Sequence, residues 1–303
     1  MSKTKKNIAA SVRQRLLNKA KAEKRPFNEL LQYYAMERFL YRLSLSAHAE
    51  RFILKGALML RVWQAPEARP TMDIDMLGKT DNSTEAISEQ VKDILATEVA
   101  NDGMVFDADS LSTETIKEDA DYHGVRVRLK ATLENAHITL QLDIGFGDAL
   151  VPEATLAEFP ILLDLPAPKI LCYSRESAIA EKFEAMVKLG ELNSRMKDFY
   201  DIWLLACQFD FQGATLGDAI KQTFDTRGTE FPSELPINYE FIEQKQKQWQ
   251  AFHKRLNTTN LPEEFNDVCA VLTEFLVVFL PSSTIPKHNW RAGGPWAAVQ
   301  RAK

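Results

Sequence analysis

Asp73 and Asp75 stand one residue apart near the end of the stretch FILKGALMLRVWQAPEARPTMDIDML, which runs from Phe52 to Leu77. In an extended segment alternate side chains share a face, so the two carboxylates project together while Met72, Ile74 and Met76 turn the other way, into a core. Like charges that close repel, and the pair is costly unless cations lie between or near them. Hard oxygen donors of this kind favour Mg²⁺, which keeps several waters and shares its coordination sphere with substrate phosphates.

A third acid follows on a later strand. The alternating segments Gly124 to Leu133 and His137 to Phe146, joined by the short polar Glu134-Asn135-Ala136 connection, predict an antiparallel hairpin. In its second strand Ile138, Leu140, Leu142 and Ile144 form one face, which puts Asp143 on the other with Thr139 and Gln141. If that strand lies beside the Asp73 strand, three carboxylates converge. The run LDIGFGD offers Asp148 as the alternative third acid, with Asp143 then capping a turn. Upstream, Lys55-Gly56 interrupts the apolar pattern before ALMLRVW, a turn that opens a helix and leaves backbone N–H groups to face an anion.

Two later helices carry the remaining candidates. Ser174 is the expected N-cap and Gly190 the expected C-terminal stop of a helix whose stripe is Ile179, Phe183, Met186 and Val187. Lys182 borders that stripe and needs a partner, an anionic ligand being one candidate and a snorkelling stem over the core the other. The next helix begins near Arg195 and runs through MKDFYDIWLLACQF, with Asp198 and Asp201 on one flank. Either acid could serve a ligand, or pair with Arg195 or Lys197.

The elements that must position these residues read less clearly. Helices are expected from Phe27 to Leu43, briefly from His48 to Leu54, from Ser83 to Val99, from Ile237 to Leu256 and from Pro262 to Leu280. Pro66 to Pro70 reads as loop. Pro152, Pro160, Pro166 and Pro168 punctuate a candidate boundary, beyond which strand signals nearly vanish. In the tail from Pro286 to Lys303, Trp290 and Trp296 are expected to dock on the body.

At 303 residues, with 45% hydrophobic and 26% charged residues, the chain reads as an ordinary globular protein with room for two domains. The formal net charge of −5 does not suggest nucleic-acid binding. Its distribution is uneven, however: Lys3, Lys5, Lys6, Arg13, Arg15, Lys19, Lys21, Lys24 and Arg25 stand against the single acid Glu23. Such a basic arm either attracts phosphate backbones or is a solvated amphipathic helix. Cys172, Cys207 and Cys269 lack paired spacing, which argues against a zinc site or disulfide framework and fits a reducing cytoplasm. VCAVLTEFLVVFL is too short to span a membrane and contains Glu274.

Lys55-Gly56, Asp73-Ile74-Asp75 and Asp143 together resemble the polymerase-β-like nucleotidyltransferase superfamily. With AEKFEAMVKL and RMKDFYDIWLL they look like the AbiEii/AbiGii toxin family of type IV toxin-antitoxin and phage-abortive-infection systems, over roughly Phe52 to Ala206. The family's Lys-Gly-Gly turn is Lys55-Gly56-Ala57 here; alanine keeps the backbone N–H but has less conformational freedom. The resemblance implies an α+β fold, a mixed nucleotidyltransferase sheet with flanking helices followed by a C-terminal helical domain. The expected divisions are a basic helical segment over 1–50, the nucleotidyltransferase core over 51–165 and the helical domain with its tail over 166–303, with the active site in the cleft between the last two.

By position it assigns Asp73, Asp75 and Asp143 to Mg²⁺, and Lys182 to the triphosphate with Lys55, Gly56, Ala57 and Arg69 near it. Asp198 would orient Lys182 or a ligand group. The implied reaction is transfer of a nucleoside monophosphate from NTP to RNA, in some members to the tRNA acceptor end. A separately encoded antitoxin is implied as well. The rival readings are transfer to a protein or small molecule, and a non-catalytic NTP-binding protein, which Ala57 keeps open.

Overall fold

A computed structural model describes residues 7–66, 69–119, 122–256, 260–281, 283 and 288–298. The chain divides into two compact units. The first comprises Met1–Trp63, Pro70–Gly147 and Thr155–Cys172, and the second Gln64–Arg69, Asp148–Ala154 and Tyr173–Lys303.

The first unit is built on a mixed sheet with flanking helices. Helix α1 (Ile8–Glu23) is capped by Asn7, whose side chain accepts a hydrogen bond from Ala10 N. Val12, Leu16 and Ala20, at four-residue spacing, form its single buried stripe. It packs on α2 (Phe27–Leu45), so the basic arm is here an amphipathic helix with Arg15, Lys21 and Lys24 exposed. Lys3, Lys5 and Lys6 lie outside the described residues. Helix α2 is buried on nearly every side, and its polar side chains are used to fasten loops. Arg42 forks onto Asp102 at 2.8 and 3.2 Å. Glu37 accepts from Leu162 N at 2.7 Å, and Arg38 donates to Pro166 O at 2.9 Å. Gln32 Nε2 donates to both Met72 O (2.9 Å) and Thr139 O (3.1 Å), tying the entry of the Asp73 segment to a second strand.

The unit continues through β1 (Phe52–Lys55), α3 (Leu58–Val62), β2 (Ile74–Gly78), α4 (Thr84–Ala96), β3 (Met104–Asp119), β4 (Tyr122–Leu133), β5 (Ala136–Phe146), β6 (Thr155–Glu158) and β7 (Lys169–Cys172). The strands form one sheet in the order β3-β4-β5-β2-β1-β7-β6. Strand β2 runs parallel to β5 and antiparallel to β1, β1 is parallel to β7, and the outer pairs are antiparallel. The mixed α+β sheet with flanking helices is thus observed.

Local departures from the sequence reading have physical causes. The expected helix over His48 to Leu54 is a turn followed by β1, all four of whose residues are buried between two partner strands. An apolar run without period two cannot be told from a helical one by pattern alone. Met72 is 55% exposed, not in the core, because the ladder begins only at Ile74. Ala136 belongs to β5, leaving Glu134-Asn135 as the turn, with Glu134 at φ +57°. Strand β3 carries few apolar residues because it pairs only with β4 at the sheet edge. Strands β6 and β7 lie in and just beyond the proline-rich stretch, so strand structure does not end there.

The second unit contains α5 (Arg175–Leu189), α6 (Met196–Gln208), β8 (Phe211–Gln212), α7 (Gly213–Arg227), α8 (Tyr239–Leu256), α9 (Phe265–Leu276), β9 (His288–Trp290) and β10 (Trp296–Ala298). Ser174 caps α5 by accepting from Ser177 N, and α5 stops at Gly190, where φ is +50°. Helix α7 escaped the sequence reading; two glycines, Gly213 and Gly217, lower its helix propensity. The small sheet, in the order β10-β9-β8, folds the tail onto the helices. Trp290 is fully buried, donates Nε1–H to Ala206 O at 2.7 Å and meets Phe275 edge-on at 4.9 Å between ring centroids. Trp296 donates to Phe275 O at 3.1 Å. The tryptophans therefore dock the tail as expected. Trp290→Ala should destabilise the protein by about 3–5 kcal/mol, read as a lower urea midpoint followed by near-ultraviolet circular dichroism.

Candidate active site

Asp75 of β2 pairs in parallel register with Asp143 of β5, which puts both side chains on one face of the sheet. Asp73 immediately precedes β2, held by a hydrogen bond donated from Thr71 Oγ1 to its Oδ1. One carboxylate oxygen from each of Asp73, Asp75 and Asp143 lies within 4.8 Å of the other two. The convergence expected if the two strands were neighbours is what the sheet order produces. Asp148, the alternative third acid, is instead in the second unit, where the Arg227 guanidinium donates to it at 3.1 and 2.8 Å.

Cations flank the acidic pair along the same ladder. Lys55, 7% exposed, pairs with Asp75 from the β1 side. Arg126 on β4 pairs with Asp143 from the other. Its Nε donates to Oδ1 and its Nη2 to Oδ2, both at 2.7 Å, and Gln141 Nε2 adds a 3.3 Å contact to Oδ2. The hydrogen-bonded Asp143 carboxylate raises the pKa of Arg126 against a smaller opposing effect of burial. Glu114 on β3 faces Arg126 in turn, with Oε1 3.9 Å from Arg126 Nη1 and 2.8 Å from Arg128 Nη1. A row of charged residues therefore crosses five strands, its two adjacent aspartates flanked by a cation on each side.

Gly56 is required by this cluster. Its φ is +71°, and a Cβ there would lie 1.9 Å from Asp75 Oδ2. Only a glycine lets the backbone come that close to the carboxylate. Ala57, by contrast, has φ −68° and ψ −24°, an ordinary right-handed conformation, so a glycine's freedom is not needed there. Helix α3, which this turn opens, is only five residues long, too short to gather much dipole for an anion.

The other candidates meet in the second unit. Lys182 Nζ on α5 lies 3.0 Å from Asp198 Oδ1 and 2.9 Å from Asp201 Oδ2, both on α6. Arg69 forks onto Asp201 at 2.8 and 3.0 Å. Arg195 Nε approaches Asp198 Oδ2 to 2.6 Å as an ion pair whose angle falls outside hydrogen bonding. Lys182 thus engages both acids, and neither Asp198 nor Asp201 is singled out. Burial opposes charge on Lys182 and Asp201, but the partners outweigh it. Asp198 and Asp201 raise the pKa of Lys182, while Arg69 and Lys182 push that of Asp201 down to about 2.

Arg126 was not found from sequence, although a signal exists. Counting back from the Glu134-Asn135 turn, with Leu133 opposite Ala136, places residue 126 opposite 143. Thr71 had no such signal.

The three acids suit a divalent cation. They supply only hard oxygen donors, a carboxylate offers about four lone-pair directions, and Gly56 places no side chain against Asp75 Oδ2.

A family model described as "Nucleotidyl transferase AbiEii toxin, Type IV TA system" matches residues 38–272. Two solved Helicobacter pylori structures are similar at 16% identity. JHP933 covers 83% of this chain and 91% of its own, with a TM-score of 0.49. A protein described as a candidate nucleotidyltransferase covers 82% and 93%, with a TM-score of 0.46. No curated protein sequence matches. Among the described residues no helix is long and apolar enough to cross a membrane.

Gly56→Ala should weaken Mn²⁺ binding by about tenfold or more with unchanged far-ultraviolet dichroism, as for other losses of support around a metal. Asp201, with its depressed pKa, contributes stability that is complete above the ordinary carboxylate value of about 4 and is lost as pH falls towards 2. Urea titrations between about pH 5 and about pH 2 should show the wild type losing about 2 kcal/mol more than Asp201→Asn.

Proposed function

The chain belongs to the AbiEii nucleotidyl transferase toxin family of type IV toxin-antitoxin systems, and from that premise we propose that it transfers a nucleoside monophosphate from NTP to RNA. The acceptor is the tRNA acceptor end, the consequence is blocked translation in the cytoplasm, and the setting is defence against phage with a separately encoded antitoxin. The observation that carries this reading is the cluster of three carboxylate oxygens within 4.8 Å of one another.

In the reaction the acceptor hydroxyl attacks the α-phosphorus, the α-β phosphoanhydride bond breaks and pyrophosphate departs. Asp73, Asp75 and Asp143 hold Mg²⁺, which when bound supplies charge neutralisation for the phosphates and the leaving group. Asp143 also takes up the hydroxyl proton. Lys55 and the turn at Gly56 and Ala57 support the nucleotide beside Asp75. Lys182 contacts the triphosphate and Asp198 orients it. Lys182, Arg69 and Arg195 gather at Asp198 and Asp201, and such a density of cations supports a phosphate ligand there. In this reading Arg69 acts by holding Asp201, to which it is already forked. The exposed basic side chains of α1 add phosphate contacts that weaken with salt.

The ordinary backbone at Ala57 weighs against a non-catalytic reading. The test is incubation of the purified protein with total tRNA, Mg²⁺ and each labelled NTP in turn. Label should enter RNA with the wild type, and Asp73→Ala or Asp75→Ala should cut the rate by more than about a hundredfold. Transfer by the wild type to protein or a small molecule alone would overturn the acceptor; equal transfer by both variants would overturn the site.

A further inference from the structure

Arg126 is a member of the charged row whose position the acids' need for a metal does not explain, and among the described residues it alone is shown forked onto one of them. It reaches Asp143 from β4 with both arms of its fork at 2.7 Å, yet its side chain is 28% exposed and that of Asp143 only 10%. A fork used solely to tie strands together has no need of a metal-ligand carboxylate, since the β4-β5 ladder already joins those strands along nine residue pairs. What the fork does supply is a fixed positive charge at the edge of three converged carboxylates.

We infer that Arg126 is the resident countercation of the cluster: it keeps Asp143 beside Asp73 and Asp75 when no metal is present, and by doing so holds metal affinity low. The inference rests on the reading of those three aspartates as metal ligands. Each carboxylate oxygen has two lone-pair directions, so the fork occupies one on each atom of Asp143, Gln141 takes the second on Oδ2, and Oδ1 keeps one for a cation. A guanidinium suits the task better than an ammonium, being charged at any working pH and matched to both oxygens at once. The consequence is that an incoming divalent ion meets a site already partly neutralised. It binds weakly alone and gains most of its hold from the oxygens of a bound triphosphate, so the ion comes and goes with nucleotide and pyrophosphate.

The test is a titration of the full chain with Mn²⁺ and no nucleotide, followed by electron paramagnetic resonance, on the wild type, Arg126→Gln, Arg126→Lys and Asp143→Asn. Removing one positive charge about 6 Å from a divalent ion in a water-like dielectric should tighten binding by about tenfold. The Gln form should therefore bind Mn²⁺ about tenfold more tightly than the wild type, with a larger rise in melting temperature on adding Mn²⁺; the Lys form should stay within about threefold. A Gln form that is unfolded alone and folds in millimolar Mn²⁺ gives the same support. Equal or weaker binding by the Gln form, or failure to fold even in saturating Mn²⁺, would make Arg126 purely structural and overturn the inference. If Asp143→Asn binds Mn²⁺ as the wild type does, the ligand assignment itself fails; if only the Gln result fails, that assignment stands.

Discussion

Two aspartates facing each other across a parallel ladder are an electrostatic cost that the surrounding fold must answer. At about 5 Å and an effective dielectric of about 20, two unit charges repel by about 3 kcal/mol, and Asp73 adds a third carboxylate to the pair. The answer is spread over the neighbouring strands. Lys55 is set against Asp75 and Arg126 against Asp143, each by strand register and not by the reach of a flexible side chain. Gln32 fastens the chain on either side of the cluster, at Met72 and at Thr139. Gly56 removes the one side chain that would collide with Asp75.

The helical unit solves the opposite problem. There two nearly inaccessible carboxylates, Asp198 and Asp201, are surrounded by Lys182, Arg69 and Arg195. The first cluster sets three carboxylates among a lysine and an arginine, and the second sets two carboxylates among a lysine and two arginines. Each cluster lies within its own unit.

Most of the site's acids were legible because a strand's period of two is strict. The faces of Asp75 and Asp143 follow from alternation, Asp73 is legible as the other half of the D-x-D stretch although it precedes β2, and the Ser174 cap follows from local chemistry. The hairpin that carries Asp143 was also readable from its alternating pattern and short turn. What failed were places where pattern carries little information. Phe52 to Leu54 is apolar on both faces because it is buried in the interior of the sheet, and β3 is polar because it lies at the edge. The helix α7, with its two glycines, is held by packing against α5.

The chain by itself therefore determined which residues could do the chemistry, which face of each strand they occupy and, through the ordered segments, the family. It left open whether Asp143 or Asp148 joins the pair, and whether Asp198 or Asp201 partners Lys182. Only the tertiary structure decided the first, by placing β5 beside β2 and by drawing Asp148 to Arg227. It answered the second by giving Lys182 both acids. The physical reason is range: side-chain periodicity acts over a few residues, whereas strand order and charge pairing join positions about seventy residues apart along the chain, such as Asp75 and Asp143.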